Sequence, residues 1–363
     1  MSSDLLRPDD SALIAWPDAT RQAAFEQWLA DVTPAHRLQA HTLRSASSDA
    51  SFRRYFRIDS GDGASFIVMD APPPLEDVRP FIQVAGLIAQ AGLNAPQILA
   101  QDVAHGFLLL TDLGHTLYLQ ALQEAVARDD NKATDTLMRE AIAALVQWQR
   151  HGDASALPAY DDALLRRELA LFPEWCVQRE CGATWTADEQ ATWDAACDKL
   201  VASALAQPTV AVHRDYMPRN LMVCAGLAGT NPGILDFQDA VRGPITYDVA
   251  SLLRDAFISW DESQEIDWAV RYWQAARKAG LPLQDDFGEF WRELEWMGLQ
   301  RHLKVLGIFA RLYHRDGKAA YLDDMPLVMH YARKTAGRYR ELAPLIRIFD
   351  VLENTDAGVG YTF

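Results

Sequence analysis

Three polar side chains near the middle of the chain have the types and spacing needed to transfer a phosphoryl group. Asp215 lies five residues before Asn220, and a second carboxylate, Asp236, follows a short apolar segment. This chemistry requires an acceptor oxygen in line with the phosphorus and neutralised charge on the phosphate oxygens. We expect Asp215 to be the catalytic group, which orients the acceptor hydroxyl and takes its proton. Asn220 and Asp236 offer the oxygen ligands that Mg²⁺ prefers, so we expect them to bind the metal.

The surrounding sequence predicts elements that hold these groups in place. Residues 209–212 form a short apolar run that predicts a buried strand ending at His213. Residues 220–223 and 233–235 predict a hairpin around a polar loop at 225–233. Asp215 and Asp236 therefore fall at the ends of elements, where functional groups are commonly held. The alternative is that His213 and Asp215 only cap a turn, but the register of Asn220 and Asp236 favours catalysis.

The run from His213 to Asn220 has the H-R-D-x-x-x-x-N spacing of a kinase catalytic loop. With Asp239 and the segment 243–253, it resembles the aminoglycoside phosphotransferase family, the small-molecule branch of the protein-kinase-like fold. The resemblance implies an α+β, bilobal fold with a small antiparallel-sheet N-terminal lobe and a larger, mainly helical C-terminal lobe. It also implies ATP and Mg²⁺ as cofactors. We assign structural roles to His213 and to Asp248, which in the family supports the catalytic loop.

Three further segments, 51–57, 67–73 and 300–307, are similar to the cell-wall amino-sugar kinases of Gram-negative bacteria. Those enzymes phosphorylate the anomeric hydroxyl of N-acetylmuramate and N-acetylglucosamine in peptidoglycan recycling. The resemblance therefore implies an ATP-dependent kinase for an amino sugar. Two alternatives stay open: a kinase for an aminoglycoside, choline or homoserine, and a non-catalytic nucleotide-binding module.

The second alternative arises because the N-terminal part departs from the kinase pattern. Protein kinases hold the nucleotide phosphates with a third-strand Lys that pairs with a helical Glu. The expected strand at 65–70 has no Lys, the helix at 78–91 has no Glu, and a Ser-rich run at 45–51 replaces the Gly-rich loop. We hypothesise that Arg53, Arg54 or Arg57 replaces the Lys; the alternative is a solvated surface strand. The predicted nucleotide-binding residues are Ser47, Ser48, Ser51, Arg53, Arg54, Leu110 and Asp112.

The predicted organisation is a nucleotide-binding lobe at 1–111 and a catalytic and substrate-binding lobe at 112–363, with a hinge at about 108–114. The first lobe is expected to contain helices at 20–31 and 78–91 and strands at 37–45, 52–59, 65–70, 97–102 and 106–111. Periodic apolar positions in the second lobe predict helices near 116–127, 134–151, 161–179, 187–206, 247–257, 262–280, 286–313, 317–339 and 342–352.

Substrate contacts are predicted on the second lobe. Arg301 and Lys304 are three residues apart on a predicted helix and so share one face, where they could bind the carboxylate of N-acetylmuramate. The alternative is an exposed helix face with ordinary surface charges. Glu174 and Asp239 are further candidates for contacts with sugar hydroxyls.

Composition excludes several classes of partner. A formal charge of −16 over 363 residues argues against nucleic acid and anionic membrane surfaces. No apolar stretch approaches the roughly 18 residues of a membrane helix, and the polar, acidic N-terminus is unlike a signal peptide. The four cysteines lack zinc-ligand spacing and indicate reduced thiols in the cytoplasm. The expected partners are a small sugar and a nucleotide; the oligomeric state is left open.

Overall fold

The structure, a computed structural model, describes residues 14, 16–48, 52–73, 75–224 and 230–352. Its backbone contacts divide the chain into two compact units. The N-terminal unit comprises residues up to 89 together with 94–114, and the C-terminal unit comprises 90–93 together with 115 onwards. The assignment of nucleotide binding to a lobe at 1–111 and of catalysis and substrate binding to a lobe at 112–363 stays a prediction.

The N-terminal unit is built on a five-stranded antiparallel sheet. Its order is β1-β2-β3-β5-β4, so β5 is paired on both sides. The strands are β1 (Arg44–Ser48), β2 (Arg54–Asp59), β3 (Ser65–Asp70), β4 (Ile98–Asp102) and β5 (Phe107–Thr111). The turn between β2 and β3 closes through a hydrogen bond from Ser60 N to Ala64 O at 2.8 Å, and Gly63 adopts the positive φ of 87° that such a turn requires.

Two helices complete this unit, α1 (Ala19–His36) and α2 (Arg79–Gln90). Asp18 caps α1 by accepting a hydrogen bond from Arg21 N at 2.8 Å. The apolar side of α1 packs on the sheet in one core, formed by Phe25, Trp28, Leu29, Leu38, Phe56, Ile58, Val68, Phe107 and Leu109. Burial of these side chains is the main source of stability for the unit.

The predicted strand at 37–45 is wrong over most of its length, because residues Ala40–Thr42 form a 3₁₀ turn and β1 starts only at Arg44. The hydroxyl of Thr42 donates to Gln39 O at 2.7 Å and accepts from Asp59 N at 2.9 Å. This side-chain competition with the backbone ladder favours a turn over a strand.

The C-terminal unit is mainly helical. Its helices are α3 (Tyr118–Ala127), α4 (Asn131–His151), α5 (Asp162–Leu169), α6 (Ala187–Ala206), α7 (Tyr247–Leu253), α8 (Glu262–Lys278), α9 (Phe287–Asp316), α10 (Met325–Arg338) and α11 (Leu345–Leu352). Short 3₁₀ turns lie at Ala154–Ala156, Pro218–Asn220 and Ala319–Leu322. Among the described residues, no helix combines the length and the apolar character needed to cross a bilayer.

Two predicted helices are interrupted. The helix predicted at 161–179 is α5 followed by a separate π-helix at Phe172–Glu180. There α9 approaches so closely that a Cβ on Gly307 would lie 2.5 Å from Leu171 O. The helix predicted at 317–339 is likewise a 3₁₀ turn followed by α10, with Pro326 in the first turn of α10, where its missing N–H costs little.

Two small antiparallel sheets interrupt the helices. In one, β6 (Thr209–Val212) pairs with β9 (Val241–Pro244). In the other, β7 (Leu221–Met222) pairs with β8 (Gly233–Ile234). The predicted strand at 209–212 and the predicted hairpin are both present, whereas β9 is not predicted. Part of the hairpin loop, residues 225–229, lies outside the described residues, as does the tail from 353.

Candidate active site

The loop that carries Asp215 begins where β6 ends. The carboxylate of Asp248, on α7, accepts hydrogen bonds from two successive backbone N–H groups, His213 N at 2.7 Å and Arg214 N at 2.9 Å. Both oxygens of Asp248 thus hold the start of the loop, which is the geometry that the predicted structural role requires. Burial raises the pKa of Asp248 to about 7, against the opposing effect of these two N–H groups.

His213 joins the two parts of the site. It is buried, and burial lowers its pKa to about 4, so its ring is neutral near pH 7. The tautomer with the proton on Nε2 matches its surroundings: Nε2 donates to Leu235 O at 3.0 Å, and Nδ1 accepts from Asp215 N at 3.3 Å. The ring therefore ties the backbone of Asp215 to the residue before Asp236.

Asn220 and Asp236 come together at the end of the β7–β8 hairpin. Leu235 N donates to Asn220 O at 2.9 Å, which extends the hairpin pairing towards both residues. The side-chain Nδ2 of Asn220 donates to Asp215 O at 2.9 Å and lies 3.5 Å from Asp236 Oδ2. The three residues singled out from the sequence thus form one cluster in the C-terminal unit.

Two non-glycine residues of the cluster have left-handed backbone conformations. Arg214, directly before Asp215, has a φ of 77°, and Asp236 has a φ of 59°. Such conformations cost of order 1–3 kcal/mol and persist only where the surrounding contacts impose them. Local strain therefore falls at Asp236 itself and at the residue directly before Asp215.

Gln238 orients the carboxylate of Asp236 and is absent from the sequence prediction. Its Nε2 donates to Asp236 Oδ1 at 2.9 Å and to Asp239 Oδ2 at 3.3 Å. Asp239, predicted to bind substrate, is exposed and is linked to the cluster through this amide. An amide two residues after a candidate metal ligand is a sequence signal that could have identified Gln238.

The donor set of Asn220 and Asp236 fits a hard divalent cation. Because Asn220 donates from Nδ2 to Asp215 O, its Oδ1 is left for a ligand. No group of three or more His, Cys, Asp or Glu side chains suited to a metal occurs in the described part of the chain. One carboxylate and one amide oxygen suit Mg²⁺, whose remaining ligands are usually phosphate oxygens and water.

Arg301 and Lys304 lie on α9 and are both buried, at 4% and 7% exposure, so the alternative of a solvated helix face is wrong. Lys304 Nζ donates to Tyr247 Oη at 3.0 Å. Arg301 makes no salt bridge with any described residue, and its Nη2 lies 3.5 Å from Met217 Sδ in the catalytic loop. Of the two, Arg301 is the one whose charge is less fully paired.

Glu174 lies on the π-helix and is exposed. The next residue, Trp175, is stacked under the guanidinium of Arg179 at 4.2 Å from the ring centroid. The structure brings neither Glu174 nor Trp175 into hydrogen-bonding contact with the Asp215 cluster. A contact of Glu174 with the sugar stays a prediction.

The predicted nucleotide-binding residues lie on the N-terminal unit, where the arginines are paired. Arg53 is near Glu76 at 3.7 Å, Arg54 pairs with Asp70, and Arg57 pairs with Asp112 at 2.5 Å. Their side chains are only 12%, 26% and 14% exposed, so the alternative of a solvated strand is wrong. A nucleotide-binding role for Arg53 or Arg54 stays a prediction.

The other predicted nucleotide contacts differ in how they are placed. Asp112 also accepts hydrogen bonds from Ser65 Oγ at 2.8 Å and from Gly114 N at 2.9 Å, so it fixes the backbone that follows β5. Leu110 is buried within the paired part of β5. Ser51 and the side chains of Ser47 and Ser48 lie outside the part of the chain that is described.

The sequence of this chain is similar to those of known phosphotransferases. Residues 42–296 match the phosphotransferase enzyme family. A Pseudomonas aeruginosa protein named N-acetylmuramate/N-acetylglucosamine kinase is 51% identical over 335 residues, which cover 92% of this chain and 94% of the relative. A Pseudomonas putida protein of the same name is 53% identical over 306 residues, which cover 84% of this chain and 87% of the relative.

Solved structures give the same fold at low sequence identity. A Plasmodium vivax ethanolamine kinase superposes with a TM-score of 0.59 at 10% identity, covering 88% of this chain and 91% of that one. An ADP-bound aminoglycoside phosphotransferase superposes with a TM-score of 0.56 at 13% identity, covering 88% and 99%. The predicted α+β, protein-kinase-like fold, with an antiparallel sheet in the N-terminal part and a mainly helical remainder, is confirmed.

Proposed function

We propose, from the premise that this chain belongs to the phosphotransferase enzyme family, that it transfers the γ-phosphate of ATP to the anomeric hydroxyl of N-acetylmuramate and N-acetylglucosamine. The names of relatives that match it over most of their length support this acceptor. The observation that carries the proposal is the convergence of Asp215, Asn220 and Asp236. Such a kinase would serve cell-wall sugar recycling in the cytoplasm.

Asp215 is the catalytic residue of this proposal. Its carboxylate orients the anomeric hydroxyl and accepts the proton as the sugar oxygen bonds to the γ-phosphorus. The bond between that phosphorus and the β–γ bridging oxygen breaks, and ADP leaves with the bonding electrons. The backbone of Asp215 is fixed by His213 and by Asn220, so the base is positioned before the acceptor arrives.

Asn220 and Asp236 would hold Mg²⁺. When bound, the ion neutralises charge on the nucleotide phosphates. Gln238 keeps the Asp236 carboxylate in one orientation, because it donates to the Oδ1 oxygen. Among the N-terminal predictions, Arg53, Arg54 and Asp112 stay candidates for nucleotide contacts, with one arginine in the role of the missing third-strand Lys.

Arg301 is the candidate for recognising the carboxylate of N-acetylmuramate. It is a buried guanidinium beside Met217, two residues from the catalytic base, with a thioether as its hydrogen-bonding partner among the described residues. The buried carboxylates Asp248 and Asp255 interact with its charge, but no direct ion pair with Arg301 occurs among the described residues. A carboxylate that reaches Arg301 would therefore gain a charge-assisted hydrogen bond. N-acetylglucosamine lacks that carboxylate, so Arg301 would separate the two sugars.

The test is a panel of acceptors incubated with ATP and Mg²⁺, with ADP release as the readout. The panel contains both N-acetyl amino sugars, an aminoglycoside, choline and homoserine. The expected result is turnover of the two sugars and a product phosphate that mild acid releases, since an anomeric phosphate is acid-labile. Turnover of another acceptor alone, or an acid-stable phosphate, overturns the proposal.

A further inference from the structure

Glu168, on α5, binds the side chain of the residue that precedes the catalytic base. We propose that Glu168 and Lys304 are positioning residues: they hold Arg214, and through Arg214 they set the conformation of the loop at Asp215. The inference rests on the proposed function, and it gives Lys304 a role other than the substrate contact expected from the sequence.

The contacts around Glu168 use both of its oxygens. Oε1 accepts from Arg214 Nη2 and lies 3.2 Å from Lys304 Nζ. Oε2 accepts from the hydroxyl of Tyr160 and lies 3.4 Å from Gln300 Nε2. These four groups come from three segments of the C-terminal unit, the catalytic loop, α9 and the residues before α5, so the carboxylate joins the catalytic loop to α5 and α9.

Charge explains why this carboxylate remains ionised although it is only 4% exposed. Burial would raise the pKa of Glu168, but the charges of Lys304 and Arg214 lower it to about 2. Burial likewise opposes the charge of Lys304, yet its neighbours Tyr247 and Glu168 raise the pKa of that ammonium group. The three charged groups therefore stay ionised around neutral pH, and the carboxylate of Glu168 attracts both cations, Lys304 and Arg214.

Lys304 directs its ammonium group at two protein groups. Its ammonium group contacts Tyr247 Oη at 3.0 Å and Glu168 Oε1 at 3.2 Å, and the residue is 7% exposed. Glu168 in turn accepts from four side chains. Lys304 and Asp215 also attract each other through their charges, whereas the contacts of Glu168 reach the catalytic loop at Arg214. We therefore expect Glu168 to affect catalysis through Arg214.

Arg214 is fixed at four points. Its N–H donates to Asp248 at 2.9 Å and its carbonyl accepts from Ser251 Oγ at 3.5 Å. Its side chain binds Glu168 and also donates to Asp239 O at 3.4 Å. The φ of 77° at Arg214 is unfavourable for a non-glycine residue and needs such restraint. Because Asp215 is the next residue, loss of the side-chain restraint would let the catalytic carboxylate shift.

The test is Glu168→Gln, which keeps the shape of the side chain and removes its charge. We expect kcat to fall about 10–100-fold, as for a displacement of about 1 Å at the reacting groups. KM for ATP and for the sugar should change less than about twofold, because neither ligand is contacted. The matched control is Glu265→Gln, which removes an equally buried carboxylate from its 3.1 Å pair with Arg254 and should lower Tm but not kcat.

A double-mutant cycle tests the path through Arg214. In an Arg214→Met background, Glu168→Gln should have little further effect on kcat, because both changes break one interaction. Lys304→Met serves as a second variant if Glu168→Gln does not fold. Unchanged kcat, full additivity with Arg214→Met, or a loss confined to the sugar KM overturns the proposal.

Amide hydrogen exchange tests the same idea without activity. His213 N, Arg214 N and Asp215 N are hydrogen-bonded in the intact protein. Glu168→Gln should speed exchange in a peptide that spans 209–222 and leave peptides of α8 unchanged. An equal change in both regions, or no change in either, overturns the proposal. If the wild-type protein has no sugar kinase activity, only the proposed function is refuted. The exchange experiment would still test whether Glu168 holds the loop at Asp215.

Discussion

Asn220 Nδ2 lies 3.5 Å from Asp236 Oδ2. The same nitrogen donates to the backbone carbonyl of Asp215 at 2.9 Å, so one amide connects the loop of the catalytic base with the strand end of the candidate metal ligand. Substitution of Asn220 should therefore disturb both groups at once.

Asp215→Asn should lower kcat about 10²–10⁴-fold, the usual size of a general-base contribution. Steady-state ADP release with saturating ATP and sugar measures the effect. Thermal unfolding serves as the control, because the side chain of Asp215 makes no hydrogen bond within the described residues and its loss should leave Tm nearly unchanged. Full activity in this variant contradicts the assignment of the base.

Gln238→Leu should raise the Mg²⁺ concentration for half-maximal activity about 10–100-fold, the usual cost of losing a group that orients a metal ligand. The mechanism requires Gln238 to hold Asp236 Oδ1, which it does at 2.9 Å. Gln147→Leu is a matched control, because Gln147 donates to Ala91 O at 2.7 Å in the same unit. Equal Mg²⁺ dependence in both variants would contradict the role of Gln238. Asp236→Ala, which removes the candidate metal ligand itself, should weaken the use of Mg²⁺-ATP further.

Arg301→Ala should reduce kcat/KM for N-acetylmuramate more than for N-acetylglucosamine. The expected difference is about 10-fold or more, since a charge-assisted hydrogen bond to a carboxylate is lost only with the first sugar. Arg301→Lys, which keeps the charge but loses the planar fork, should give an intermediate preference. Equal losses for both sugars would remove the proposed carboxylate contact.

Arg54→Ala should destabilise the N-terminal unit by about 2 kcal/mol, since Asp70 is fully buried and, among the described residues, would keep only Arg21 as its ionic partner. If Arg54 also replaces the missing Lys, KM for ATP should rise in conditions where the variant is folded. Arg53→Ala and Arg57→Ala are the comparison variants. Three unchanged KM values would end the hypothesis that Arg53, Arg54 or Arg57 binds the phosphates.

His302→Gln should change the pH dependence of stability. Burial lowers the pKa of His302 to about 3, so on acidification the unfolded chain binds the proton first. The wild type should therefore lose stability relative to the variant as pH falls from about 6.5 to 3, by up to about 1.4 kcal/mol per pH unit. Chemical denaturation at several pH values measures this, and parallel curves would contradict it.

Local sequence patterns predicted the parts of the site that are close in the chain. The loop from His213 to Asn220 is predicted by its kinase-like spacing, and the hairpin that delivers Asp236 is predicted by two apolar runs around a polar loop. The contact between Glu168 and Arg214 spans 46 residues and has no local signal. β9 was also missed, because Gly243 and Pro244 are poor strand residues, although Gly243 packs against Tyr160.

The burial of Arg301 and Lys304 could not be deduced from helical periodicity, because charged residues usually mark the solvent side of a helix. The acidic and aromatic partners of Lys304 come from α5 and α7, and Arg301 contacts Met217 of the catalytic loop, all distant in sequence. The π-helix at Phe172–Glu180 likewise depends on packing with α9 rather than on a local pattern.

Gly307 marks the packing of the π-helix against α9 in the sequence itself. Any larger residue there would collide with the main chain at Leu171, where even a Cβ would come within 2.4 Å of the carbonyl carbon. A substitution at this position should force the two helices apart and distort the segment that carries Glu174 and Trp175. In an alignment of related chains, those that retain this glycine should keep the π-helix packed against α9. Those that lack it should have a different structure in this segment.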